Sequence, residues 1–385
     1  MPLFVLAHFV HHLLTTLPIP LLPMIRNEFG LDYTQAGLVL SAFSITYGIG
    51  QLPAGWLADR IGRRILITVG IIGVAICGLA VGLSHTYIMM MVFLALMGLL
   101  GGGYHPAASP AVSSIVKPEN RGAALGFHGI GGSASYFLVP LAAVAIASVW
   151  GWRGSFITLA IPTFIFGVVL YRIMRRLPNN TITSKKIDTS HSHILETPGR
   201  IRRLVVFIIL SSFSQAVLVS VVSFIPLFLV DHFGLSEEAG GAFIAIFYST
   251  GLWASTLGGY LSDRFGMIRM VLISCLAIGV LTYFFNLAPF GVGIGAILFL
   301  TGMFNFMRMP VSESYIIHNT SEKRRSTVLG FYFFGNQQGA GLLTPLLGYI
   351  IDQLGFNYCY TISAVAVLIV TLVCYILLRS SHNHD

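Results

Sequence analysis

Apolar runs long enough to cross a lipid bilayer, separated by short polar breaks, fill this chain from end to end. Reading those runs places spans near 3–25, 35–57, 65–83, 86–116, 122–149, 154–175, 203–230, 239–261, 270–287, 290–317, 326–350 and 356–378. A spanning helix needs about 20 apolar residues, so twelve spans use roughly 240 residues of the 385 and leave short loops. Charged residues make up 9% of the chain and hydrophobic residues 55%, whereas a soluble domain is about 25% charged. A water-facing surface cannot be built from this composition. The expected fold class is all-α: a polytopic membrane protein with twelve transmembrane helices.

The net charge of +8 reads as a topology signal rather than a nucleic-acid footprint, because the positive residues concentrate in a few short loops. Of the 22 Lys and Arg, nineteen fall on one side: Arg60, Arg63 and Arg64; Lys117 and Arg121; the eight from Arg172 to Arg203; Arg264 and Arg269; Lys323, Arg324 and Arg325; Arg379. Arg26 and Arg153 fall on the other side, and Arg308 lies within a span. Cytoplasmic loops retain positive charge during insertion, so both termini are expected in the cytoplasm, with an even number of crossings. No basic n-region precedes the first span, which is expected to stay in the mature protein. The four cysteines lie singly in apolar runs without CxxC spacing and read as packing residues. No metal site and no cofactor are expected.

A repeat runs through the chain at a constant offset of 204 residues. Phe29-Gly30-Leu31 returns as Phe233-Gly234-Leu235, and Gly55 and Leu57 as Gly259 and Leu261. Asp59-Arg60-Ile61-Gly62 returns as Asp263-Arg264-Phe265-Gly266. Pro106 pairs with Pro310, Arg121 with Arg325, and Leu125-Gly126-Phe127 with Leu329-Gly330-Phe331. Separated matches at one spacing mark a duplication. The long polar segment from Pro178 to Arg200 reads as the joint, giving six-helix bundles at 1–177 and 203–385 and a cytoplasmic linker at 178–202.

The segment Gly55-Trp-Leu-Ala-Asp59-Arg60-Ile-Gly62-Arg63-Arg64, with its weaker copy from Gly259 to Arg269, resembles the signature loop of the major facilitator superfamily. Within that family, His8, the segment Tyr104-His105-Pro106-Ala-Ala-Ser109 and the Gly-rich start of the fifth span resemble the fosmidomycin-resistance type of efflux protein. The resemblance implies that the loop lies beside the eleventh helix and helps to hold an outward-open state, with Gly55, Asp59, Arg60, Gly62, Arg63, Arg64, Asp263, Arg264 and Gly266 as a conformational gate. Physically, Asp59 ends a helix where it can favour a neighbouring helix N-terminus, while the arginines can pair with acids or lipid phosphates. Two departures stand out. Leu94 occupies the place, four residues before Gly98, where the family often carries an arginine, and Val139 precedes Pro140 where antiporters often show Gly-Pro.

An ionisable side chain inside a span costs roughly 2.5–3.5 kcal/mol on insertion scales, so each demands a partner, a cavity or a function. Arg308 and Glu313 lie five residues apart in the tenth span, about 140° around a helix, and do not share a face. His8, His11 and His12 form one stripe on the first span, and Gln215 stands 204 residues beyond His11. Such histidines can carry protons, or can stay neutral and bond a backbone carbonyl; the sequence leaves both open. His105 stands beside Pro106, whose ring frees a carbonyl one turn back. Asn336 and Gln337 add neutral hydrogen-bonding capacity in the eleventh span, for solute or for helix contacts.

These residues point to a secondary transporter working by alternating access. The substrate and proton pathway is expected to use His8, His11, His12, His105, Gln215, Arg308, Glu313, Asn336 and Gln337. The fold's pseudo-symmetry implies a midplane site served by spans one, four, seven and ten. No G-x-x-x-x-G-K-[ST] phosphate loop is present, so an ion gradient, with protons as the ion, is expected to drive transport. The expected activity is proton-coupled efflux of a small drug-like or anionic solute from a prokaryotic plasma membrane, by a monomer, with proton-coupled import as the alternative. A non-transporting receptor or assembly factor on the same scaffold is the rival from another class. Enzyme motifs such as H-E-x-x-H and G-x-S-x-G are absent.

Overall fold

The computed structural model describes residues 1–117, 120–176 and 198–380. Most of the expected linker therefore lies outside the described residues, although its end, from Pro198, is already helical.

All regular structure in the described residues is helical, as fifteen α-helices. They are α1 (Pro2–Thr15), α2 (Leu22–Phe29), α3 (Tyr33–Ile61), α4 (Arg63–Gly82), α5 (Tyr87–Gly101), α6 (Tyr104–Ser114), α7 (Arg121–Arg176), α8 (Pro198–Ser223), α9 (Ile225–Phe233), α10 (Glu237–Ser249), α11 (Ala254–Phe265), α12 (Met267–Phe284), α13 (Val292–His318), α14 (Glu322–Leu354) and α15 (Phe356–Ser380). Crossings one, four, seven and eight are each made of two helices, and α7 supplies the fifth and sixth, so the fifteen helices make twelve transmembrane crossings. Seven segments are long and apolar enough to span by length and composition alone. Of the remaining four crossings, three miss that standard for visible reasons. Pro18 and Pro20 break the first into α1 and α2, the 3-10 turn Thr250–Leu252 breaks the eighth, and α14 carries Asn336, Gln337 and Gln338.

Glycines mark two local irregularities along the expected spans. The separate helices expected at 122–149 and 154–175 are both present within α7, divided at Gly151, where φ of 68° and ψ of 173° leave the helical region. The span expected at 86–116 is Tyr87–Ser114, with a turn at Gly102 and Gly103 between α5 and α6 where the backbone keeps right-handed helical dihedrals. There the backbone approaches α3 so closely that a Cβ on Gly102 would strike the Tyr47 carbonyl.

The repeat is visible in the backbone. Gly62 (φ 91°, ψ 139°) is the single residue between α3 and α4, and Gly266 (φ 88°, ψ 141°) is the single residue between α11 and α12. Only glycine enters this region without strain, which explains why both copies of the loop keep it. Gly30 and Gly234 end α2 and α9 with φ of 61° and 70°, and Gly151 and Gly355 repeat at φ of 68° and 84°. Close packing repeats as well. A Cβ on Gly98 would meet the Phe43 carbonyl and Thr46 Oγ1, and one on Gly302 would meet the Phe247 carbonyl and Thr250 Oγ1. Each of those contacts recurs at the 204-residue offset.

The chain divides into two compact units, Met1–Asp188 with Ile225–Ala245, and Thr189–Phe224 with Ile246–Asp385. The core of the first gathers Phe4, Ile71, Tyr104 and Met174 from α1, α4, α6 and α7. That of the second gathers Phe207, Val271, Met307 and Leu378 from α8, α12, α13 and α15. All four cysteines are buried and free.

Candidate functional site

In the first unit a histidine cluster forms where α1, α6 and α7 meet. The stripe spacing on α1 turns His8, His11 and His12 inward, and all three are buried. His105 comes from α6 and His128 from α7. His8 stacks on His128 at 4.3 Å between ring centroids and meets His12 and His105 at 5.0 and 5.1 Å. His12 lies 5.5 Å from His105 and 4.8 Å from the Tyr136 ring.

The hydrogen bonds fix what each ring has left to offer. His11 Nδ1 donates to the Gly70 carbonyl at 3.3 Å, and its Nε2 accepts from the Tyr47 hydroxyl at 3.2 Å. Both nitrogens are thus engaged, and the ring lies flat against Tyr104 with centroids 4.3 Å apart. His8 Nδ1 donates to the His128 carbonyl at 2.8 Å, and His128 Nδ1 donates to the Phe4 carbonyl at 3.0 Å. His12 Nδ1 is held by Thr15 Oγ1 at 2.9 Å, whose own proton goes to the His11 carbonyl. The neutral imidazoles of His8 and His12 therefore keep the Nε2 lone pair unused. One ring nitrogen from each of His8, His12 and His105 lies within 4.8 Å of the other two.

In the second unit α8 and α13 enclose Arg308, which is 0% exposed. Its Nη1 donates to the Ser211 carbonyl at 2.9 Å and to Ser211 Oγ at 2.7 Å. Nη2 donates to Gln215 Oε1, and to Asn305 Oδ1 at 3.3 Å. Ser211 Oγ is also bonded to Ser312 Oγ and to the Tyr332 hydroxyl. Every acceptor is neutral, Nε is buried without an acceptor, and no carboxylate lies in ion-pair range among the described residues. Glu313, half-buried on α13, makes no hydrogen bond or ion pair with a described residue. Asn336 Oδ1 is buried without a partner, and Gln337 is half-buried.

Among the signature-loop residues, Arg60 stacks on Trp56 at 4.1 Å and Arg64 donates to the Met174 carbonyl at 3.4 Å. Arg63 is half-buried, and Asp263 and Arg264 are exposed. The surroundings of Gly55 and the side chain of Asp59 lie outside what is described. At the opposite ends of the helices, both arginines that the charge count set apart hold a carboxylate. Arg26 pairs with Asp231, which also accepts from the Tyr33 hydroxyl at 2.6 Å. Arg153 pairs with Glu28, whose second oxygen accepts from Trp152 Nε1 at 2.6 Å.

Sequence reasoning missed Tyr47, Tyr136, Thr15, Ser211, Asn305 and Tyr332. Some signals were available: Thr15 follows His12 by three residues, Asn305 precedes Arg308 by three, and His8 and His12 have the i, i+4 spacing that aims two side chains at one point.

The Major Facilitator Superfamily model matches residues 4–293 and 222–385. The chain is 26% identical over 355 residues to the hexuronate transporter of Bacillus subtilis (strain 168), covering 86% of this chain and 83% of that protein. It is 27% identical over 370 residues to the multidrug resistance protein MdtG of Proteus mirabilis (strain HI4320), covering 91% and 89%. Among solved structures, a POT family transporter in complex with 5-aminolevulinic acid superposes with a TM-score of 0.82 at 13% identity, covering 98% of this chain and 96% of that one.

Proposed function

Because the chain belongs to the major facilitator superfamily, we propose that it is a secondary active transporter that works by alternating access, couples to protons and exports a small organic anion. The observation that carries the solute class is Arg308. A guanidinium removed from water and held by neutral acceptors alone keeps its full charge in a low-dielectric surrounding, where an anion gains most from pairing with it. The hexuronate relative fits the same chemistry, since a hexuronate is a carboxylate.

Protons are the coupling ion in this reading because Glu313 is a carboxylate within a span and without a cationic partner among the described residues. Taking up a proton removes the cost of its charge inside the membrane. The halves expected at 1–177 and 203–385 are the bodies that alternate, and the paired loops closing on Gly62 and Gly266 form the gate. Both termini are assigned to the cytoplasm of a bacterial plasma membrane.

The experiment is solute counterflow in proteoliposomes with a panel of small carboxylates and sulfonates. Wild type exchanges at least one of them, Arg308→Gln loses exchange, and Arg308→Lys retains part of it. Equal exchange by Arg308→Gln for every anion would overturn the solute class. Import is a second reading, favoured by Val139 before Pro140 where antiporters carry Gly-Pro. Deletion that abolishes growth on an organic acid, rather than raising sensitivity to one, would select it.

A further inference from the structure

We propose that His8, His12 and His105 form a three-imidazole site for a divalent transition-metal ion of the zinc, cobalt and nickel class. The site belongs to the first unit and goes beyond the solute reading, which rests on Arg308 in the second.

Three observations converge. The first is proximity: one nitrogen of each ring lies within 4.8 Å of the other two. Around tetrahedral zinc, with Zn–N of about 2.0–2.1 Å, neighbouring nitrogens are roughly 3.3 Å apart. Binding an ion therefore requires the three nitrogens to close by up to roughly 1.5 Å.

The second is tautomer. A metal-binding histidine characteristically donates its other ring N–H to a carbonyl or a fixed oxygen, which orients the ring and frees one lone pair. His8 does this through the His128 carbonyl at 2.8 Å and His12 through Thr15 Oγ1 at 2.9 Å. His105 makes no hydrogen bond with any described residue, so both of its nitrogens are available. His11, in the same stripe, has both nitrogens engaged and is excluded as a ligand. His128 also leaves its Nε2 without a partner, but it lies outside the group whose ligand atoms converge.

The third is support. His128 stacks on His8 at 4.3 Å, and Tyr136 lies 4.8 Å from His12, so the walls that hold the rings are aromatic. Imidazole nitrogen without thiolate or carboxylate favours zinc, nickel, cobalt and copper over magnesium or calcium. Three protein ligands leave a fourth position for water or a carboxylate.

The test uses Co2+ as probe. The full chain is purified with a tag free of histidine and with His191, His193, His382 and His384 replaced by alanine, so that linker and tail histidines cannot chelate. It is then titrated with CoCl2 while visible absorption is recorded. The site predicts one Co2+ per chain with the intense bands of a tetrahedral centre, displaced by Zn2+. His8→Gln and His105→Asn should each weaken binding at least about tenfold, and Thr15→Val, which removes the bond orienting His12, should weaken it by about tenfold or more. His232→Gln, on an exposed histidine, should leave binding unchanged. If His8→Gln does not fold, His105→Asn and Thr15→Val decide the matter. Absence of the bands in wild type, or unchanged Co2+ affinity in His105→Asn, overturns the proposal. Anion counterflow is measured separately on the same preparation, so loss of the metal site and loss of the transport reading are distinguishable.

Discussion

Arg308 and Gln215 meet at the two positions that Tyr104 and His11 occupy one repeat earlier. In the second unit the contact is a hydrogen bond from a guanidinium to an amide oxygen; in the first it is a stack with ring centroids 4.3 Å apart. Duplication supplied the same junction twice, and divergence made one copy cationic and the other aromatic and imidazole-rich.

Gln215→Glu tests whether the charge of Arg308 is what an anion reads. A carboxylate placed on Nη2 supplies the missing counter-charge from within, so the account predicts a melting temperature at or above wild type together with at least tenfold weaker binding of organic anions. Gln215→Ala, by contrast, removes one acceptor from a buried cation and should cost about 1–3 kcal/mol in stability. Thermal melts read alongside anion binding separate the two effects. Undiminished anion binding by Gln215→Glu would count against the role of Arg308.

Asp231 ties α9 to α2 and to the start of α3 through Arg26 and Tyr33. Burial, reinforced by Asp231, pushes the Tyr33 hydroxyl up to about 12, so it remains a donor at physiological pH. Hydrogen bonding to Asp231 raises Arg26 further above its ordinary value. A double-mutant cycle on Arg26→Ala and Asp231→Ala should give a coupling of roughly 0.2–1 kcal/mol, near the upper end because the pair is bidentate. Chemical unfolding of the purified protein measures it.

Glu28 gives a pH dependence of defined sign. Burial pulls its carboxyl up, but the bonds from Arg153 and Trp152 outweigh that and hold it below the ordinary carboxylate value. A lowered folded-state value means the unfolded chain takes up the proton first. The stabilisation is therefore complete above the ordinary carboxylate range and lost as pH falls through the lower folded value. Melting curves of wild type and Glu28→Gln should differ at neutral pH and converge in acid. A gap that widened on acidification would contradict the assignment.

The glycine pairs predict opposite outcomes within one backbone. Gly98→Ala and Gly302→Ala drive a methyl group into a neighbouring carbonyl and should each cost about 1–3 kcal/mol. Gly126→Ala and Gly330→Ala meet nothing within 4 Å and lie in helices, so they should be neutral or stabilise by up to about 1 kcal/mol. Melts of the four variants check both halves of the repeat.

Much of the architecture was legible because it depends on local chemistry: apolar run length, prolines in the first span, and glycines at repeat positions that later prove to need positive φ. What the sequence left open is the backbone geometry at single glycines. Gly151 leaves the helical region between the fifth and sixth spans, whereas Gly102, pressed against the Tyr47 carbonyl of α3, keeps helical dihedrals between α5 and α6. At the site, the stripe spacing of His8, His11 and His12 was readable, but which nitrogens are engaged depends on Gly70, Tyr47 and His128, far away in sequence. Gln215 was found as the repeat partner of His11, while its bond to Arg308 depends on how α8 meets α13. The pairings of Arg26 with Asp231 and Arg153 with Glu28 lie beyond sequence reasoning for the same reason.

The central claim is that a proton gradient moves a small organic anion through this protein, and the most direct measurement is proton flux in proteoliposomes loaded with a pH indicator and challenged with small organic anions that include a hexuronate. The account predicts that at least one anion drives proton movement in wild-type vesicles, and that Arg308→Gln and Glu313→Gln vesicles respond no more than protein-free ones. Anion movement with no accompanying proton flux, or the wild-type response from both variants, would contradict it.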